Sequence, residues 1–298
     1  METNNIKEME KHIVFDKNCD LTIKENDEKS YSFVVENNCK VSVLLDITSS
    51  LDLNIVVKDN GDLKIAILNK KNKNNINING VIEKEAGFTC VIADFCKEAT
   101  SLNSNVDLKG EYSTSKFVVS STSNDKFKKT YNINFNHLNK NTTSKIKAFG
   151  VSLKESEIQV TGVSYIPKES VKSNASQEVK IILFDKNSRG KASPILKIEC
   201  DDIKASHGCS IGSINDDHLY YLLSRGIDIE TVRKEYEILR KNLKTMKMIQ
   251  LIGALDELEG RIIVFSIEDY DNDIIKETAE MIRDLGTEVS MRRTKIHR

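Results

Sequence analysis

The sequence predicts a mainly β protein: a parallel β-helix core, then a C-terminal helical region and a small α/β tail. Three observations carry the core. Apolar and polar residues alternate in stretch after stretch from about residue 12 to 205, with no convincing amphipathic helix between them. Asp-Leu-x-Ile occurs at 52 and again at 62, a ten-residue spacing that suggests stacked, similar rungs. Two prolines, Pro167 and Pro194, are the only ones in the chain, and a long pile of paired strands tolerates few residues without an N–H. A β-sandwich is the alternative.

Leu51, Leu53, Ile55 and Val57 alternate cleanly, as do Leu63, Ile65 and Ile67, and again Tyr131, Ile133 and Phe135. Further strands are expected over 41–47, 88–95, 116–120, 145–151, 158–163 and 179–184. Several strands carry asparagine on one face and aliphatics on the other. Asn75, Asn77 and Asn79 flank Ile76 and Ile78, and Asn132, Asn134 and Asn136 flank Ile133 and Phe135. Such amides either pair in ladders across stacked strands or form a polar solvent face, and the sequence leaves both open.

After Gly212 the character changes. In "SINDDHLYYLLSRGID", Ser213 or Asn215 serves as N-cap, acids fill the first turn and Leu219, Tyr220, Leu222 and Leu223 form an apolar set. Arg225 closes the helix and Gly226 stands at C′. Asp228 caps a second helix with Ile229, Val232, Tyr236, Leu239 and Leu243 at helical spacing. The last stretch reads strand over 262–267, helix over 273–285 and strand over 288–291, ending in a basic tail. The expected division is a β-helix core at 1–212, a helical region at 213–260 and a strand–helix–strand tail at 261–298.

Composition narrows the function. The 298 residues carry 44 Lys+Arg against 45 Asp+Glu, a net charge of -1. That balance gives no global electrostatic reason to expect nucleic acid or an acidic membrane as partner. No signal peptide opens the chain and no apolar run approaches the ~18 residues of a membrane helix. Six cysteines are scattered without a CxxC, which argues against a disulfide framework. A soluble, cytoplasmic protein is expected. Phosphate-loop, dinucleotide, zinc-protease and serine-hydrolase motifs are missing. Trp is absent and aromatics are 6%, so a β-helix enzyme acting on an acidic polysaccharide is the weaker alternative to a non-enzymatic protein.

The soft ligands gather in "ASHGCSIG", residues 205–212. On an extended segment, His207 and Cys209 share one face. An imidazole beside a thiolate suits iron, zinc or copper, and glycine at 208 lets a cluster or partner approach. Cysteine also packs well as a small hydrophobe, so a structural role stands beside the ligand role. Cys200 falls on the opposite face of an unbroken strand and joins the site only through a bend, a bulge or a second subunit. Cys90 and Cys96, among apolar neighbours in "CVIADFC", read as core. The "HLYYLL" set suits either core packing or a partner-docking surface.

From about 164 to 227 the chain resembles the SufB/SufD family, scaffold proteins of the SUF iron–sulfur assembly machinery. "ASQEVKIILFD" (175–185) is similar to the family's Gln-bearing strand. "SPILKIECDDIKASHGCSIGSINDDHLYYLLSRGI" (193–227) combines its Pro-x-Leu-x-Ile strand, Ser-His-Gly corner, Ile-Gly and Leu-Tyr-Tyr-Leu…Ser-Arg-Gly-Ile helix. The resemblance implies a right-handed β-helix core followed by C-terminal helices. It implies pairing, as a homodimer or with a paralogous scaffold subunit, and docking of an ABC-type ATPase, SufC. It also implies a transient iron–sulfur cluster, built at the pair interface from iron and from sulfur supplied by a cysteine desulfurase system. His207 falls on the family's interface histidine. His207 and Cys209 are the expected metal ligands, with Cys200 a weaker candidate. Asp216, Leu219, Tyr220, Leu222, Leu223, Arg225 and Gly226 fall in the region leading into the ATPase-docking helices. The departures are specific. Ser188 stands where the SufB branch has its cluster-building cysteine, and Gly208 where that branch has a glutamate. Ala205 stands where the SufD branch commonly has cysteine, and Cys209 where alanine is usual. The corner motif places the chain nearer SufD, as a compact and divergent member.

Overall fold

The computed structural model of the protein describes residues 10–24, 29–69 and 74–213. The chain divides into two compact units, Met1–Val232 and Arg233–Arg298; the second lies wholly outside the described residues. So do the helices expected over 213–260 beyond Ser213 and the tail expected over 261–298.

Sixteen strands form two eight-stranded sheets among the described residues. Sheet A holds β1 (Lys11–Phe15), β3 (Ser30–Val35), β5 (Leu51–Val57), β7 (Asn74–Ile82), β9 (Thr100–Leu108), β11 (Lys128–His137), β13 (Glu157–Ile166) and β15 (Arg189–Ile198), in that order. Sheet B holds β2 (Cys19–Lys24), β4 (Lys40–Ile47), β6 (Asp62–Asn69), β8 (Gly87–Asp94), β10 (Thr114–Ser123), β12 (Thr143–Ser152), β14 (Asn174–Leu183) and β16 (Lys204–Ser213). Every pairing between them is parallel, and consecutive strands alternate between the sheets. This is a two-sheet parallel β-solenoid, not an antiparallel sandwich.

The rung is longer than the sequence repeat suggested. Asp62 pairs with Lys40, not with residue 52. The two Asp-Leu-x-Ile copies lie in β5 and β6, which are the two halves of one rung on opposite sheets. The rung also widens along the axis. Lys11 pairs with Tyr31, 20 residues on, whereas Glu157 pairs with Arg189, 32 residues on.

Period-two alternation sends one set of side chains inward from both sheets. The buried core runs through Phe33, Val43, Ile65, Phe88, Phe117, Phe135 and Ile146. Phe88, Phe117 and Phe135 stack edge to face with ring centroids 5.7 Å apart at each step, a preferred aromatic geometry. At the corners the chain turns through left-handed residues. Asn38, Asn60, Glu85, Tyr112, Asn141 and Lys172 all have φ between 56° and 62°. Their N–H groups continue the ladder: Asn38 donates to Asp59 O at 3.0 Å, Asn60 to Lys84 O at 2.9 Å and Glu85 to Glu111 O at 2.9 Å. In each case the acceptor immediately precedes the next rung's left-handed residue.

The outer face of sheet A carries the asparagines, and here both readings of them hold. Asp52, Asn77, Asn103 and Asn132 occupy one column. Each amide donates to the rung before it, at 2.6, 3.4 and 3.0 Å. The ladder is nevertheless exposed to solvent.

A polar cluster sits inside the solenoid. Asp94 accepts from Lys129 Nζ at 2.9 Å, from Tyr131 Oη at 2.5 Å and from Asn69 Nδ2 at 3.0 Å. Tyr131 Oη also lies 2.6 Å from Ser121 Oγ. Burial, then the Asp94 carboxylate, pushes the Tyr131 hydroxyl well above its ordinary range. Cys96 belongs to this cluster, 3.2 Å from Thr100 Oγ1, while Cys90 packs in the apolar core. Both cysteines are buried, as the sequence suggests.

Candidate functional site at the open end of the solenoid

The stretch 205–212 is a strand rather than a corner. It forms most of β16, which pairs in parallel with β14 on one side. β16 is the last strand of sheet B and β15 the last of sheet A. Among the described residues, their far edges carry no strand partner.

Register shows which way the candidate ligands face. One inward column of sheet B reads Val43, Ile65, Cys90, Phe117, Ile146, Gln177, His207. The next reads Leu45, Ile67, Ile92, Val119, Ala148, Val179, Cys209. His207 and Cys209 therefore share the interior-facing side of the terminal rung, as their i,i+2 spacing predicts. Cys209 is exposed, on the last described strand of sheet B. Gly208 pairs with Glu178 and lies on the opposite face. It clears space on the outside of the sheet, not between the two ligands, and a Cβ added there would meet nothing within 4 Å.

The floor beneath His207 is polar. Gln177 is 3% exposed, and its Nε2 donates to Ser164 Oγ at 2.9 Å and to Ile195 O at 3.0 Å. Its Oε1 has no hydrogen-bond partner. The amide fits because residue 162 is glycine; a Cβ there would lie 2.7 Å from Oε1. Ser164 and Gly162 carry no local sequence signal, since they meet Gln177 only through the packing of sheet A on sheet B.

Cys200 lies in the bend between β15 and β16, so the strand is broken there and the bend is the route that applies. It is 9% exposed and packs with Ile166 and Ala175. Ala175 pairs with Ala205, one inward column from the Gln177–His207 pair. The bend thus turns Cys200 to the inside at the same end, into apolar company. Ser188 is a turn residue: its Oγ accepts from Asp185 N at 2.9 Å and donates to Asp185 O. Among the described residues, no three His, Cys, Asp or Glu side chains form a group able to hold a metal. Asp216, Leu219, Tyr220, Leu222, Leu223, Arg225 and Gly226 lie outside the described residues.

Comparison with known proteins decides the family. Residues 21–234 match the family model described as SUF system FeS cluster assembly, SufBD core domain. The chain belongs to the SufBD core family. Its SufBD relatives include the iron-sulfur cluster assembly protein SufD of Bacillus subtilis, 35% identical over 98 residues, which are 33% of this chain and 22% of that protein. SufD of Escherichia coli is 33% identical over 67 residues, 22% of this chain and 16% of that protein. Protein ABCI7, chloroplastic, of Arabidopsis thaliana is 39% identical over 61 residues, 20% of this chain and 13% of that protein. The matched segments thus span less than a quarter of each relative. Among the described residues there is no helix long and apolar enough to cross a membrane.

Proposed function

We propose that this SufBD chain is a non-enzymatic scaffold component of a SUF-type iron–sulfur assembly complex. The observation that carries the reading is the open end of the solenoid. His207 and Cys209 face the same way there, over the buried Gln177 amide, on a strand whose far edge has no described partner. Each chain offers two soft donors, and an iron–sulfur cluster needs about four. Pairing of two such ends, from an identical chain or a paralogous scaffold subunit, completes the donor set. The cluster is cargo: it is built there and handed on. A parallel edge without a partner among the described strands suits such pairing, because strand addition satisfies exposed N–H and C=O groups. Segment 216–226 docks a SufC-like ABC ATPase, and a cysteine desulfurase system supplies the sulfur.

A second reading is a structural partner without cluster chemistry, favoured by Ser188. That serine caps its own turn where the SufB branch places a reactive thiol. Anaerobic reconstitution with ferrous iron and sulfide separates the two. The scaffold reading expects the parent to load cluster and His207→Ala and Cys209→Ser to lose most of it. Parent-level loading in both variants ends the ligand assignment. No loading in the parent supports the structural reading. A mixing experiment with the same genome's SufC-like ATPase tests docking, and the absence of a complex at micromolar concentration counts against it.

A further inference from the structure

Two columns of the interior change chemistry together part-way along the axis. In sheet B one inward column reads Val41, Leu63, Phe88, then Ser115 and Ser144. In sheet A the column Val35, Val57, Ile82, Leu108 is followed by His137. At the corner between the sheets, Ala86, Ser113, Thr142 and Ser173 hold equivalent places, each carbonyl accepting from the first residue of a strand in the next rung. The apolar filling thus gives way to a buried cell of hydroxyls around one imidazole.

The hydrogen-bonding capacity of the cell can be counted. Thr142 Oγ1 lies 3.1 Å from Asn139 O and Ser173 Oγ lies 3.4 Å from it, so the Thr142 proton goes to that carbonyl. Thr142 Oγ1 then accepts from its other two contacts, His137 Nδ1 at 2.7 Å and Ser173 Oγ at 2.8 Å. A hydroxyl has one proton and two lone pairs, so Thr142 is full. Burial keeps the imidazole neutral, lowering its pKa to about 4. With its proton on Nδ1, the ring accepts at Nε2 from Ser144 Oγ at 2.8 Å. Neither Thr142 nor Ser144 has a proton left for the rung before it. Ser113 Oγ and Ser115 Oγ, on residues 0% and 4% exposed, have no partner among the described residues. Their Cβ atoms, two residues apart on one face, are about 6.6 Å apart. That is too far for the hydroxyls to bond each other, whereas one water with two bonds of about 2.8 Å spans the gap.

We propose that the solenoid interior holds a bound water anchored on Ser113 Oγ and Ser115 Oγ. Ser144 Oγ supplies a third contact, because its proton goes to His137 and its lone pairs can accept from the water. The step from the Phe88 ring to the small side chains of Ser115 and Ser144 supplies the room. Every side chain that lines the cell is neutral, which suits a neutral ligand. A buried hydroxyl without a partner costs free energy, and an internal water with two or more polar partners removes that cost. The site is independent of the cluster reading.

A high-resolution crystal structure of the full chain tests the site. The expected result is a solvent peak within about 3.2 Å of both Ser113 Oγ and Ser115 Oγ. No such peak, or one that touches a single serine, overturns the proposal. An independent arm compares Ser113→Ala and Ser115→Ala with the parent in thermal unfolding. Where the hydroxyls hold a water, each variant removes an anchor, and the midpoint is expected to fall by about 2–4 °C. Where they are dry, each variant removes an unsatisfied hydroxyl, and the midpoint rises. An unchanged or higher midpoint in either variant overturns the proposal.

Discussion

Asp94 is 0% exposed and bonds three side-chain donors at once, which makes it the hub of the buried polar cluster. Removing one partner of a buried pair strands the other without water. Asp94→Ala is therefore expected to cost about 3–5 kcal/mol, because the buried Lys129 ammonium loses its counter-charge; chemical denaturation measures it. The exposed pair Lys154–Asp125 is expected to contribute less than about 1 kcal/mol. His137 gives a pH signature. It is fully buried, with Nδ1 2.7 Å from Thr142 Oγ1 and Nε2 2.8 Å from Ser144 Oγ, and burial lowers its pKa to about 4. The unfolded chain binds this proton below about pH 6.5 and the folded one does not. Stability is then full above about 6.5, falls as pH drops towards about 4, and loses roughly 3 kcal/mol in total from this group. The difference in stability between the parent and His137→Gln, followed from pH 7 to 4, is expected to shrink by that amount. A constant difference contradicts the assignment.

The corner stack and the amide ladder belong to the elements. A non-glycine residue in the left-handed region costs of order 1 kcal/mol, and Tyr112 holds φ 61° with its side chain 52% exposed. Tyr112→Gly relieves that strain and loses little packing, so a gain of about 0.5–1 kcal/mol is expected, read as a higher thermal midpoint. An unchanged or lower midpoint would show that the exposed ring contributes packing of its own. The strands themselves were legible because alternation is a local signal: the expected 41–47 and 145–151 fall within β4 and β12. The rung period was not. β5 and β6 present the same inward alternation to the core from opposite sheets, so a half-rung resembles a whole one. Pro194 falls in β15, the last strand of its sheet, where the missing N–H costs least. The bend that brings Cys200 to the open end was one of the routes the sequence left open; its two aspartates suit a turn, but no glycine or proline in "CDDI" marks it.

For the molecule as a whole, register sets which way the candidate ligands face. That His207 and Cys209 face one way was readable from their spacing. That they face the interior, above Gln177 and Ser164, was not, because pairing across about 30 residues leaves no local trace. The rungs lengthen along the axis, and among the described residues the last two strands, β15 and β16, have no strand partner on their far edges. In the proposed scaffold, two copies meeting there would join sheets and donors together. The central claim is that cluster is held between two such ends. Native mass spectrometry of the anaerobically reconstituted protein tests it most directly. The account predicts iron and sulfide on a species containing two scaffold chains, lost in the His207→Ala/Cys209→Ser double variant. A single chain that carries the cluster, or a double variant that retains it, would contradict the account.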